Sequence, residues 1–260
     1  MNNVFAEGEK ALFIDSKQRR YLVTLNVEGE FHSHSGFIPH TEIIGSAPGR
    51  TVETTKGMRY TVLRPTLEDF VIEMPRGAQV IYPKDLATMC MIGDIYPGVR
   101  VYETGVGSGA LSMTMLRWGA HIYGCELRED FLNRAVSNVR SFLGEDALSR
   151  YNVELGDAYT DTPPHEVDRV MLDLPEPWRV VPNIEGSLTP GGLLVAYTPS
   201  ITQAVQVKES LGKGWTDVRT LEVLHRTWHI EGMAVRPDHR MVAHTAFLTV
   251  ARFIGAKEKS

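Results

Sequence analysis

The sequence predicts an α/β protein: an open, mainly parallel sheet with an antiparallel last strand, preceded by a small β domain. Three observations carry this. From Pro83 onward, strand-like and helix-like patterns alternate in the rhythm of βαβ units. One predicted strand runs straight into a glycine-rich loop, Glu103-Thr104-Gly105-Val106-Gly107-Ser108-Gly109-Ala110. The last two strand patterns, 218–224 and 245–253, have no helix between them, and a hairpin there turns the final strand antiparallel.

The elements follow in order. Residues 10–64 are β-rich, with apolar alternation over 21–25, a turn at Glu28-Gly29-Glu30 and another at Gly57. Short strands joined by glycine turns suggest a small sheet or barrel. Thr66 can cap a short helix that has Glu68 and Asp69 in its first turn, so the boundary is placed there, giving domains 1–66 and 67–260. In the second domain, helices are predicted over 85–95, 111–118, 129–143, 182–188 and 201–212. Strands are predicted over 100–103, 121–126, 152–155, 167–172 and 192–197. A final antiparallel strand on such a sheet is the Rossmann-like layout of class I methyltransferases, and it departs from a plain dinucleotide fold.

Bulk properties narrow the function. The 260 residues are 43% hydrophobic, enough for a sizeable core. No apolar run is long enough to span a membrane, and the opening MNNVFAEGEK has neither a basic region nor an apolar one, so no secretory signal is expected. Cys90 and Cys125 form no CxxC pair, so neither a disulfide framework nor a zinc site is expected, and a reducing cytoplasm fits. His32, His34 and His40 lack a cysteine or carboxylate to complete a metal site. The Met89, Met91, Met113 and Met115 group reads as core packing. The net charge of −5 is uneven: residues 67–207 hold 10 basic and 19 acidic side chains, whereas the two ends are neutral to basic. A polyanion could be held by the ends, or the pattern is ordinary surface charge.

The glycine loop, following a strand and opening a helix, lets the backbone turn sharply and approach a ligand closely. Gly105, Gly107 and Ala110 also satisfy the dinucleotide pattern, so the loop alone does not choose between nicotinamide cofactors and S-adenosyl-L-methionine. Glu126 ends the next strand 21 residues after Gly105, where an acid can accept from ribose hydroxyls. Asp157, beside Ala158, follows the third strand, where a carboxylate can accept from an adenine amino group. Asp173-Leu174-Pro175-Glu176-Pro177-Trp178 follows the fourth strand, at the sheet edge where open α/β folds bind ligands. It resembles the Asp/Asn-Pro-Pro-aromatic loop of enzymes that methylate amino groups on bases. Asp173 offers an acceptor for an exocyclic amine and Trp178 a stacking face.

Several blocks together resemble the tRNA (adenine(58)-N1)-methyltransferases. They are Arg76-Gly77-Ala78-Gln79-Val80-Ile81-Tyr82-Pro83-Lys84-Asp85, the glycine loop, Asp173 to Trp178, Leu221-Glu222-Val223-Leu224-His225-Arg226-Thr227-Trp228 and Val235-Arg236-Pro237-Asp238-His239-Arg240. They span about residues 64–254. The resemblance implies bound S-adenosyl-L-methionine, methylation of an adenine in the tRNA T-loop, and a homotetramer. It implies a cofactor set of Gln79, Glu103, Gly105, Val106, Gly107, Ser108, Gly109, Ala110, Glu126, Asp157, Ala158 and Asp173. Asp173 and Tyr82 are the expected catalytic residues. Tyr82 and Trp178 are expected to hold a base taken out of its stack. Lys84, His225, Arg226, Arg236, His239 and Arg240 are expected to meet the substrate's phosphates. The Val106 position, where a small polar residue is expected, departs from the family pattern. The alternatives are a methyltransferase for a small molecule or protein, a nicotinamide-dependent oxidoreductase, or a non-catalytic tRNA-binding subunit.

Overall fold

A computed structural model describes residues 3–77 and 79–255. Ala78, and the outermost residues of both expected domains, lie outside the described residues. The chain divides into two compact units, 1–75 and 76–260.

The first unit holds strands β1 (Lys10–Asp15), β2 (Arg20–Thr24), β3 (Glu30–Ser33), β4 (Gly36–Pro39), β5 (Arg50–Glu53) and β6 (Arg59–Leu63). Four of them form an antiparallel sheet in the order β2-β1-β6-β5, and β3 and β4 form a separate hairpin. Phe13, Phe31 and Tyr60 pack at the centre, with the Phe13 and Phe31 rings stacked at 4.5 Å. The short helix α1 (Leu67–Glu73) belongs to this unit, so the division falls at Pro75 rather than at Thr66. Local chemistry explains the shift. Thr66 and Asp69 cap the helix reciprocally, and the buried Asp69 carboxylate pairs with Arg20 of β2, fastening the helix to the sheet that precedes it.

The second unit is built on seven strands: β7 (Arg100–Thr104), β8 (His121–Glu126), β9 (Tyr151–Leu155), β10 (Val167–Leu172), β11 (Leu188–Thr198), β12 (Trp215–Glu222) and β15 (Phe247–Phe253). Their order is β12-β15-β11-β10-β7-β8-β9. All neighbours from β9 to β11 pair parallel, and β15 pairs antiparallel with both β11 and β12. The expected antiparallel last strand is therefore present. Helices α2 (Pro83–Ile92), α3 (Ala110–Arg117), α4 (Glu129–Leu143), α5 (Val181–Ile184) and α6 (Ile201–Ser210) connect the strands. Helix α3 is buried from Ala110 to Leu116, whereas α4 buries only the face carrying Ala135, Asn138 and Val139. Met89, Met113 and Met115 are core residues, but Met91 is 70% exposed, because it falls on the outer face of α2.

The segment between β12 and β15 carries a further hairpin, β13 (Trp228–Glu231) with β14 (Ala234–Pro237). Trp228, Ile230, Met233 and Val235 are all exposed on it. Among the described residues, no helix is long and apolar enough to cross a membrane.

Candidate active site

The strand order reverses between β7 and β10, the place where open α/β sheets form a crevice at the carboxyl ends of their strands. A cavity of about 570 Å³ lies there. Its lining includes Gln79, Gly105, Gly107, Glu126, Asp157, Ala158 and Asp173. Each parallel strand thus delivers a residue at its end: Gly105 after β7, Glu126 at the end of β8, Asp157 after β9, Asp173 after β10 and Pro199 after β11.

The glycines are required by geometry. Gly105 has φ +78°, and a Cβ built on it would lie 1.7 Å from the backbone oxygen of Asp173. Gly109, at φ +81°, caps α3, and a Cβ there would press on the Ala135 backbone at 3.2 Å. The loop therefore lies against both α4 and the backbone of the Asp173 segment.

Glu126 is buried. Its Oε2 accepts from the Gly107 N–H at 3.0 Å and its Oε1 from the Arg128 N–H at 3.0 Å. The charge is thus fixed on the cavity wall by two backbone donors. Asp157 Oδ1 accepts from the Tyr159 N–H at 3.0 Å, which holds its loop. Asp173 receives no side-chain hydrogen bond among the described residues. Burial pushes its carboxyl up to about 7, and neighbouring Glu126 adds to the shift. Glu103 lies deeper. Burial raises it to about 8 against the opposing hydrogen bond from Ser112, whose Oγ donates at 2.7 Å.

Several expected cofactor residues do not line the cavity. Glu103 faces Ser112 in the interior. Val106 is buried, with its Cγ2 packed over Gly124, so only its backbone could meet a ligand; a small polar side chain is not needed there. Ser108 and Ala110 are buried, and the Ser108 carbonyl accepts from Asn138 Nδ2 at 3.0 Å. Together with Gly109 these residues shape the loop from behind. Sequence reading missed Leu127, Arg128 and Phe131, which also line the cavity, the Arg128 guanidinium lying 3.8 Å from the Phe131 ring centroid. Their position directly after Glu126 was the available signal.

A second cavity, about 360 Å³, is lined by Tyr82, Asp173, Tyr197, Val242, His244 and Thr245 among others. Gln79, Asp173 and Pro199 line both cavities. Asp173 and Tyr82 are thus brought together, while Tyr197, His244 and Thr245 were not anticipated. Tyr197 sits near the end of β11, where strand-end reasoning could have found it.

Two expectations on the substrate side are corrected. Lys84 is buried and its Nζ donates to Asp85 Oδ1 at 2.8 Å, the Val223 carbonyl at 2.8 Å and Thr245 Oγ1 at 2.6 Å. All three of its protons are spent, so it fastens the returning chain to α2 instead of meeting phosphates. Trp178 lines neither cavity; it sits on a short turn, Pro177–Arg179, and packs against the core beneath β10 and β11. His225, Arg226, Arg236, His239 and Arg240 are exposed on and around the β13–β14 hairpin.

The cavity fits S-adenosyl-L-methionine. Its volume suits a nucleoside-sized ligand, Gly105 and Gly107 of the glycine turn line it, and the fixed carboxylate of Glu126 lines it too, available to accept from ribose hydroxyls.

Comparison with known proteins agrees with this geometry. Residues 58–236 match the family model described as "tRNA methyltransferase complex GCD14 subunit", and residues 4–52 match one described as "TrmI-like N-terminal". The chain is 36% identical to tRNA (adenine(58)-N(1))-methyltransferase TrmI of Thermus thermophilus, covering 93% of this chain and 95% of that one. It is 30% identical to tRNA (adenine(57)-N(1)/adenine(58)-N(1))-methyltransferase TrmI of Methanocaldococcus jannaschii, covering 93% and 94%. Among solved structures, a SAM-dependent O-methyltransferase from Thermotoga maritima superposes with TM-score 0.90 at 28% identity, over 99% of this chain and 97% of that one. The tRNA (m1A58) methyltransferase TrmI from Aquifex aeolicus superposes with TM-score 0.84 at 27% identity, over 98% and 100%.

Proposed function

We propose, for a chain that belongs to the tRNA methyltransferase complex GCD14 subunit family, that it transfers a methyl group from S-adenosyl-L-methionine to N1 of an adenine in the T-loop of tRNA, at position 58. The observation that carries this reading is Asp173, which lies on the wall common to a nucleoside-sized cavity and an aromatic-lined one.

When bound, S-adenosyl-L-methionine supplies an already electrophilic methyl group. Gln79, the Gly105–Gly107 backbone, Glu126 and Asp157, which line the larger cavity, would hold it there. Tyr82 and Tyr197 line the smaller cavity that admits the extracted base. Asp173 accepts from the adenine N6 amino group, which aims N1 at the shared wall. As the N1 lone pair forms the new N–CH3 bond, the carbon–sulfur bond of the donor would break with its electron pair left on sulfur as a neutral thioether; the positive charge thus passes to the ring, and the ionised Asp173 stabilises it where it develops. No proton need be removed in this step.

His225, Arg226, Arg236, His239 and Arg240 are exposed on and around the β13–β14 hairpin, which supports a role for them in meeting tRNA phosphates. The exposed Trp228, Ile230, Met233 and Val235 on the same hairpin support a homotetramer that covers them. Two free, buried cysteines suit the cytoplasm.

The test is methyl transfer from labelled S-adenosyl-L-methionine to an unmodified tRNA transcript, with the product nucleoside identified by chromatography. The expected product is 1-methyladenosine. A ribose-methylated nucleoside, or no transfer by a protein that binds the cofactor, overturns the substrate assignment and leaves the fold intact.

A further inference from the structure

His244 stands on the wall of the smaller cavity, and its surroundings dictate its charge. Nδ1 lies 2.7 Å from Glu222 Oε1, at the end of β12, and Nε2 lies 2.8 Å from the Pro199 carbonyl oxygen. An ionised carboxylate and a backbone carbonyl can only accept, so the ring satisfies both at once only as an imidazolium, with hydrogen on both nitrogens. With both N–H groups committed to the protein, the ring is unfit to act as a base or to take up a phosphate.

What it holds is more telling. Pro199 lines both cavities. The next residue, Ser200, caps α6 by accepting from the Gln203 N–H at 3.3 Å. Gln203 Nε2 then donates to the Pro175 carbonyl at 3.0 Å, in the loop that carries Asp173. A continuous series of hydrogen bonds and short chain segments thus runs from β12 through His244 to the reacting carboxylate. Two other charged groups stand near His244: Lys84 on α2, which opposes the imidazolium but is paired with Asp85, and Asp173, which lines the same cavity; from β15 the Phe247 ring packs at 4.9 Å. The Pro199 carbonyl and the Glu222 carboxylate together hold the histidine above its ordinary value.

We propose that His244, as an imidazolium, is a positioning residue: by tying the Pro199 carbonyl to Glu222 it fixes the wall common to both cavities and, through Gln203, the loop that bears Asp173. When the ring loses a proton as pH rises, one acceptor is left facing a lone pair and the wall loosens. The rate consequence rests on the methyl-transfer reading; the charge of the ring does not.

The experiment joins kinetics with histidine nitrogen NMR on the full chain. For the wild-type protein, kcat falls on the alkaline side. His244→Ala lowers kcat roughly ten-fold at neutral pH, leaves the KM for tRNA little changed and removes the alkaline fall. His244→Gln, whose amide donates at any pH, recovers most of the rate with a flat alkaline limb. In the 15N spectrum, the resonances that disappear in His244→Ala show both ring nitrogens protonated at neutral pH. A neutral ring there, or a folded His244→Ala protein with wild-type kcat and pH profile, overturns the proposal. If the wild-type protein transfers no methyl to tRNA, the functional reading fails, and the NMR result still decides the state of His244.

Discussion

The two cavities that meet at Asp173 are built on different principles. The larger draws its walls from the ends of successive parallel strands, Gly105, Glu126, Asp157 and Asp173, so the topology alone brings them together. Its Glu126 carboxylate is already held by two backbone donors. The smaller cavity draws on Tyr82, Tyr197 and the returning chain at Val242 to Thr245, none of which is near another in sequence. Its frame is the buried network of Lys84, Asp85 and Thr245, which ties that returning chain to α2. A fold that repeats its strand ends thus supplies a cofactor site, whereas the substrate side must be assembled from long-range contacts.

Asp173→Asn should separate the two cavities most sharply. Loss of the acceptor charge is expected to lower kcat about 10²–10³-fold, with S-adenosyl-L-methionine affinity by calorimetry much less affected; equal losses in both would mean the cavities act as one. The same carboxyl sets a pH dependence. It ionises near 7, so the wild-type rate should climb as pH rises through that region. Stability runs the other way. With folded values of about 7 for Asp173 and about 8 for Glu103, both above the usual carboxylate range, the folded state holds extra protons. Their contribution is full below the unfolded values and is lost as pH rises through 7 to 8. The ligand-free Asn variant should therefore melt above the wild type at alkaline pH, by a few degrees.

Gly105→Ala attacks the contact between the two motifs. A Cβ 1.7 Å from the Asp173 carbonyl cannot be accommodated, so the expected cost is about 3 kcal/mol in thermal or urea unfolding, together with lost cofactor binding. Glu126→Gln keeps shape but removes charge. It should raise the KM for S-adenosyl-L-methionine about ten-fold while kcat is largely kept. The smallest effect belongs to Trp178→Phe: about 1 kcal/mol of stability, with the KM for tRNA unchanged. A large rise in that KM would restore the stacking role that the packing of Trp178 denies.

The difference between the cavities also explains what could be read in the sequence. The strands of the second unit and the antiparallel last one follow from the βα rhythm and the missing helix before the last strand, both local patterns. Glu126, Asp157 and Asp173 follow from strand ends. Lys84 was misread because its partner Thr245 is 161 residues away, and a buried ion pair looks in sequence like a surface lysine. Trp178 was misread because an aromatic next to a reactive loop can face the cavity or the core, and spacing does not distinguish them. The β13–β14 hairpin escaped notice because its apolar residues stand in solvent, so its alternation marks no buried face. His244 gave no signal at all: its role depends on Glu222 and Pro199, reached only through the fold.

The excursion over residues 223–246 has a consequence for how such a fold can change. Lengthening a loop raises its closure entropy only logarithmically, about 0.6 kcal/mol for each doubling. The β12–β15 pairing, already set by its own register, tolerates that penalty. Insertions here can therefore accumulate, diverge or acquire new surface while the strand ends beneath stay fixed. Because the returning arm of this segment supplies Val242, His244 and Thr245, the substrate wall can evolve at a rate of its own.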